Sequence, residues 1–184
     1  MTISVDKPIQ QGVLDVIIPA ATIPTLVIER YWKDLLENDL LRYRLCDLKG
    51  PKIEDAMTLT AQFLQYFLVD PADSRIRAEF VLNNFTGKAA QVHFSMHPDN
   101  TPQRSLHLAR RVTDQVLNEW TPVDKPDEPF LYSLFGLTPV DNRAACAFVQ
   151  RVGFRKLGVL PGGQLSGGEP TDAMITIKKS RRIA

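Results

Sequence analysis

The stretch Leu137-Thr138-Pro139-Val140-Asp141-Asn142-Arg143-Ala144-Ala145-Cys146-Ala147-Phe148-Val149-Gln150-Arg151-Val152-Gly153-Phe154-Arg155 reads as the end of a strand, a short helix and the start of another strand. Asn142 can accept hydrogen bonds from amides one turn on and so begin the helix. Ala145, Phe148, Val149 and Val152 recur at helical spacing and form an inward stripe. Gly153 then supplies the left-handed conformation that ends a helix and that most residues resist. Taken alone, this is an ordinary strand-helix-strand unit.

Outward from it the pattern continues. Leu106, Ala109, Val112, Val116, Leu117 and Trp120 place a helix over Ser105 to Trp120, followed by a proline-rich loop and a strand from Phe130 to Leu137. Before it, Arg75 to Asn83 and Gln91 to Met96 alternate in the manner of strands and, with Phe63 to Val69, suggest an antiparallel meander. Val13 to Ile18, stopped by Pro19, is a first strand. Leu26 to Leu36 and Ile53 to Leu64 are amphipathic helices, the second overlapping the strand that starts at Phe63. Downstream, Arg155 to Leu160 and Met174 to Ile177 are strands. The glycine-rich run from Pro161 to Pro170 is expected to be a mobile loop, and the basic end from Lys178 to Ala184 a solvated tail. Strands punctuated by helices imply a single α/β (α+β) domain over residues 1–184, with helices on both faces of its sheet.

Charge and cysteine content narrow the function. Lys and Arg number 22 against 21 for Asp and Glu, so no overall field favours nucleic acid or an anionic membrane. Cys46 and Cys146 lie far apart, without a CxxC spacing or a neighbouring His, which indicates neither a metal site nor a disulfide framework. With no signal-like N-terminus and no membrane-length apolar run, a cytoplasmic protein is expected.

The pattern Asn142-x-x-Ala145-x-x-Phe148-x-x-x-x-Gly153-Phe154, followed by Gly158, resembles the motif that closes the acyl-CoA site in the GNAT N-acyltransferase superfamily. The resemblance covers Arg75 to Leu160 by motif and the remainder by topology. It implies a mixed, mostly antiparallel central sheet of about six or seven strands. It also implies a splay between the strand ending near Met96 and the strand from Phe130, with the pantetheine arm of acetyl-CoA lying in the splay. In the family a Gln or Arg, then two residues, Gly, one residue and Gly or Ala hold the diphosphate. The matching positions here are Arg104, His107 and Ala109 in Arg104-Ser105-Leu106-His107-Leu108-Ala109, with His107 in place of the first glycine. The resemblance thus assigns cofactor contacts to Met96, Arg104, Ser105, His107, Leu108, Ala109 and Asn142. His107, if protonated, with Arg104, Arg110 and Arg111 could offset the missing glycine. The block Met96-His97-Pro98-Asp99 is similar to the degenerate form in GNAT-like proteins of bacteriophages.

N-acyl transfer needs a base for the amine, donors for the oxyanion and an acid for the thiolate. Glu79 and His93 lie on neighbouring strands as candidate bases, against the plainer readings of a solvated Glu and a hydrogen-bonded His. Tyr132 and Ser133 are candidate donors, against a buried Tyr with a satisfied hydroxyl. The family often places a Tyr acid where this chain has Val149. His97 beside Pro98 reads as a turn residue, and Cys146 as a small apolar one. Two functions follow from the resemblance. One is an acetyl-CoA-dependent N-acetyltransferase acting on a small amine or a protein N-terminus. The other is a catalytically silent phage protein without cofactor, associated with other virion or assembly proteins.

Overall fold

The computed structural model describes residues 3–4, 15–45, 47–60 and 64–183. Its main sheet has seven strands in the order β2-β3-β4-β5-β7-β9-β8. These are β2 (Val16–Pro19), β3 (Leu64–Val69), β4 (Ile76–Thr86), β5 (Ala89–Met96), β7 (Ser133–Pro139), β8 (Arg155–Ser166) and β9 (Glu169–Lys179). A two-residue pair, β1 (Ile3–Ser4) and β6 (Thr121–Pro122), stands apart. Every contact in the main sheet is antiparallel except β5 with β7. The helices are α1 (Thr25–Glu37), α2 (Leu41–Arg44), α3 (Ile53–Thr60), α4 (Pro102–Asn118) and α5 (Arg143–Val152).

Strand alternation assigns the helices to faces. Tyr66, Phe80, Leu82 and Val92 pack with Ala109, Val112 and Val116 of α4 and Val152 of α5. Phe67, one residue along from Tyr66, packs instead with Ile28, Tyr31, Trp32 and Leu35 of α1 and Ala56 of α3. Glu79, opposite both Phe67 and Ser95 in the register, therefore points towards the α1 side.

Two expectations about the C-terminal third are corrected. Pro161 to Pro170 is not a loop: β8 and β9 form a long hairpin through it, turning at Gly167 and Gly168, whose φ values of +60° and +84° suit glycine. Nor is the basic end a solvated tail. Lys178 Nζ reaches Asp114 at 3.0 Å and Thr113 Oγ1 at 2.7 Å, and the Arg181 N–H donates to Asn118 Oδ1 at 2.9 Å, so the segment docks along α4. Val13, Leu14, Cys46, Phe63 and Ala184 lie outside the described residues.

Candidate active site

The seam between β5 and β7 is zipped for only three residues, Ala89 to Gln91 against Ser133 to Phe135. Beyond Gln91 and Phe135 the strands diverge, although β5 runs on to Met96 and β7 to Pro139. The opening perforates the sheet. A cavity of about 1370 Å³ passes through it, lined on the α4 and α5 side by Met96, Ser105, Leu106, Asn142, Phe148 and Val149. On the other side Tyr43, Arg44, Asp47, Asp55, His93 and Ser95 line it.

The hydrogen-bond phase of β5 shows what its open edge offers. His97 N–H donates to Arg77 O at 2.9 Å, so the 77–97 pair is a bonded one. Bonded and non-bonded pairs alternate in an antiparallel ladder, which makes 79–95 and 81–93 bonded and 78–96 and 80–94 not. The main-chain N–H and C=O groups of Phe94 and Met96 therefore point away from β4, into the gap. They form a short open edge of the kind that an extended, amide-containing chain can pair with.

On the α1 and α2 side a buried polar network lies on the sheet beside the apolar cluster of Phe67, Tyr31 and Trp32. Arg44 at the end of α2 grips Glu79 with two prongs, Nε to Oε2 at 2.8 Å and Nη2 to Oε1 at 3.0 Å, and Gln65 Nε2 donates to Oε1 at 2.6 Å. Glu79 has no exposed surface at all. Its carboxylate is committed to holding Arg44 at the cavity wall. His93 borders the same cavity, and its Nε2 lies 3.1 Å from Asn83 Oδ1. With a carbonyl oxygen as the partner, Nε2 carries the proton and Nδ1 keeps its lone pair. Burial, reinforced by the nearby Arg44 guanidinium, pushes this imidazole down to about 4, so at neutral pH it is uncharged.

The start of α4 is differently built. Thr101 caps it, accepting from Arg104 N–H at 3.2 Å, and Pro102 follows at the first helical position. Ser105 N–H donates to Thr101 O, Asn100 N–H to His97 O, and Asp99 N–H to His97 Nδ1. Pro98 and Pro102 have no N–H. The turn's own residues thus consume most of its amides. His97, 4 % exposed, reaches Asp34 Oδ2 of α1 through Nε2 at 3.0 Å and pins the turn, which agrees with its reading as a turn residue.

The sequence candidates scatter accordingly. His93, Met96, Ser105 and Asn142 meet at the cavity, where Asn142 Oδ1 caps α5 by accepting from Ala145 N–H at 3.1 Å. Glu79 sits behind Arg44 rather than at the wall. Tyr132 precedes β7, is 40 % exposed and lies beneath Lys88 Nζ at 5.8 Å from its ring, outside the cavity lining. Arg104 is held by Asp15 and Asp70, each at 2.8 Å. His107 is exposed on the flank of α4, and Leu108 and Ala109 are core residues. Because α4 begins at Pro102, the Arg104–Ala109 stretch runs along the helix instead of forming the loop that precedes it. Cys146 is half-buried with its thiol pushed up by burial, consistent with a small apolar residue. Arg44, Asn83, Thr138 and Thr176 join the lining without having been singled out in the sequence. No local pattern marks them: Arg44 finds its partner Glu79 35 residues away, and Thr176 finds Gly136 40 residues away.

This open-seamed sheet, with α4 and α5 covering one face of the gap, is the fold of the GNAT acetyltransferases. The ribosomal-protein-S5-alanine acetyltransferase from Vibrio fischeri superposes with a TM-score of 0.67 over 96 % of this chain and 98 % of its own, at 14 % identity. The spermidine N-acetyltransferase from Vibrio cholerae, solved with CoA and spermine, gives 0.62 over 84 % and 90 % at 15 % identity. The Microcin C7 self immunity acetyltransferase MccE, solved with acetyl-CoA and AMP, gives 0.62 over 84 % and 87 % at 16 % identity. No protein-family model and no curated protein sequence matches the chain.

Acyl-CoA is the ligand that this fold implies, and the residues fit it in part. The apolar gap and the open Phe94 and Met96 edge suit a pantetheine arm. The start of α4 does not suit a diphosphate, which needs several converging amides.

Proposed function

We propose that the chain is an N-acyltransferase, drawing an acyl thioester from the α4 and α5 side of the gap and an amine from the α1 and α2 side. The observation that carries this reading is the perforated sheet, because only a passage through it lets two substrates meet from opposite faces. In this reading the N–H groups of Phe94 and Met96 orient the thioester and stabilise the oxyanion. His93, neutral with its Nδ1 lone pair available, accepts a hydrogen bond from the amine and passes on to water the proton that the nitrogen loses as it bonds to the carbonyl carbon. Asn83 holds the imidazole in the tautomer this needs. The carbon–sulfur bond breaks, and the thiolate takes its proton from water, since Val149 offers none. A small amine or a protein N-terminus is the acceptor class, with Asp47 and Asp55 beside the entrance on that side.

Two features favour a second reading, a catalytically silent protein of this fold: Val149 in place of an acid, and the self-satisfied start of α4. Titration calorimetry with acetyl-CoA and with S-acetyl-pantetheine separates them, alongside mass spectrometry of acetyl transfer to a panel of primary amines. Binding of either thioester, with turnover lost in His93→Gln, supports the enzyme. If neither thioester binds, the enzymatic reading falls.

A further inference from the structure

Resting on that reading, we infer that the donor is recognised by its acyl-pantetheine arm alone, and that the diphosphate and nucleotide of CoA add little to binding. Diphosphate capture at a helix start depends on several N–H groups converging there and on an uncompensated positive end of the dipole. Between His97 and Ser105 this chain has spent those groups. His97 N–H goes to Arg77 O, Asp99 N–H to His97 Nδ1, Asn100 N–H to His97 O, Arg104 N–H to Thr101 Oγ1 and Ser105 N–H to Thr101 O. Pro98 and Pro102 contribute none, which leaves the N–H groups of Thr101 and Gln103, two residues apart on a turn and a helix.

The side chains that could substitute are committed as well. Arg104 lies between the carboxylates of Asp15 and Asp70. Arg111 Nη1 donates to Asp15 O at 2.6 Å, and Arg110 donates through both Nε and Nη2 to Arg151 O. The turn itself carries Asp99 paired with Arg75 at 3.3 Å, so that guanidinium is also committed to a carboxylate. Among the described residues Arg151 is the one guanidinium lining the cavity on the α5 side, and a single solvated cation is screened at ordinary salt. By contrast, the parts that read a pantetheine arm are in place: an open main-chain edge at Phe94 and Met96, and apolar walls from Leu106, Phe148 and Val149.

The test compares three ligands on the full chain by calorimetry at fixed salt: acetyl-CoA, S-acetyl-pantetheine and adenosine 3′,5′-bisphosphate. Arm-only recognition gives the two thioesters dissociation constants within about 3-fold of one another, with no competition from the bisphosphate. Acetyl-CoA binding more than about 30-fold tighter than S-acetyl-pantetheine overturns the inference while leaving the N-acyltransferase reading intact. Competition by the bisphosphate overturns it too. If neither thioester binds, the inference falls together with the reading it rests on.

Discussion

Glu79 and Phe80 are neighbours on β4, yet they look into opposite halves of the molecule. Phe80 has no exposed surface, stacks on Tyr66 and meets Trp120 at a tilt in the apolar layer beneath α4. Glu79, equally buried, faces α1 and α2, where Arg44 and Gln65 satisfy it. One side of the gap is held by apolar packing, and the other sets a buried ion pair and its hydrogen bonds beside an apolar core of its own around Tyr31, Trp32 and Phe67. The difference fits the two jobs proposed for them. An apolar wall with an open main-chain edge suits the invariant arm of a thioester, and a polar wall can tell one amine from another.

The largest effect is expected on the apolar side. Phe80→Ala removes a fully buried ring from this layer and leaves a cavity, at about 4 kcal/mol of unfolding free energy in chemical denaturation. Glu79→Ala should cost about 3 kcal/mol, because it takes away the carboxylate that holds a largely buried guanidinium. Glu79→Leu tests the comparison more sharply. If the network exists for position rather than stability, Leu should recover part of the lost stability while acetyl transfer stays impaired. Full activity in a stable Glu79→Leu variant would break the distinction between the two halves.

The two halves also differ in how far they could be read in advance. The α4 and α5 side was legible because its information is local. Helical spacing placed Val112, Val116, Phe148 and Val152, while Asn142 and Gly153, with φ of +108°, marked the ends of α5. The polar side was not legible, because Arg44 and Glu79 stand 35 residues apart, and α2 is a single turn with no periodic signal. The expected diphosphate stretch failed for a related reason. Spacing matched Arg104, His107 and Ala109 to a loop motif, but Thr101 and Pro102 start the helix before the motif begins. A cap residue followed by proline was the local sign of that start, and it outweighs a motif lacking its glycine. The β8 and β9 hairpin was missed because glycines that suit a mobile loop equally suit its turn and bulge.

A smaller, pH-dependent effect is expected from His93. Its folded-state value of about 4 lies below the ordinary 6.5, so between those limits the unfolded chain binds the additional proton. Stability should therefore fall as pH drops through 6.5 towards 4, by at most about 1.4 kcal/mol per pH unit from this group, and the slope from it should fade out within about a unit above 6.5. His93→Gln should flatten that part of the profile, and an NMR titration of the imidazole should show no protonation near pH 6. A midpoint at 6 or above would mean that the polar half is open to water. It would also remove the reason for the imidazole to be neutral beside Arg44.

The smallest effect separates structure from recognition on the apolar side. Asn142 both caps α5 and borders the cavity, so Asn142→Ala should cost about 1 kcal/mol of stability as a lost cap. Asn142→Asp and Asn142→Ser keep a capping oxygen and should return most of it. Thioester binding distinguishes the variants further. If Asn142 serves only as a cap, affinity for S-acetyl-pantetheine follows stability through the series and recovers in Asp and Ser alike. If its amide nitrogen also meets the arm, Asp and Ser regain the stability and not the affinity, because neither restores that donor. The second result would show that the apolar wall carries a polar reader of its own, and the contrast with the α1 and α2 side would be one of degree.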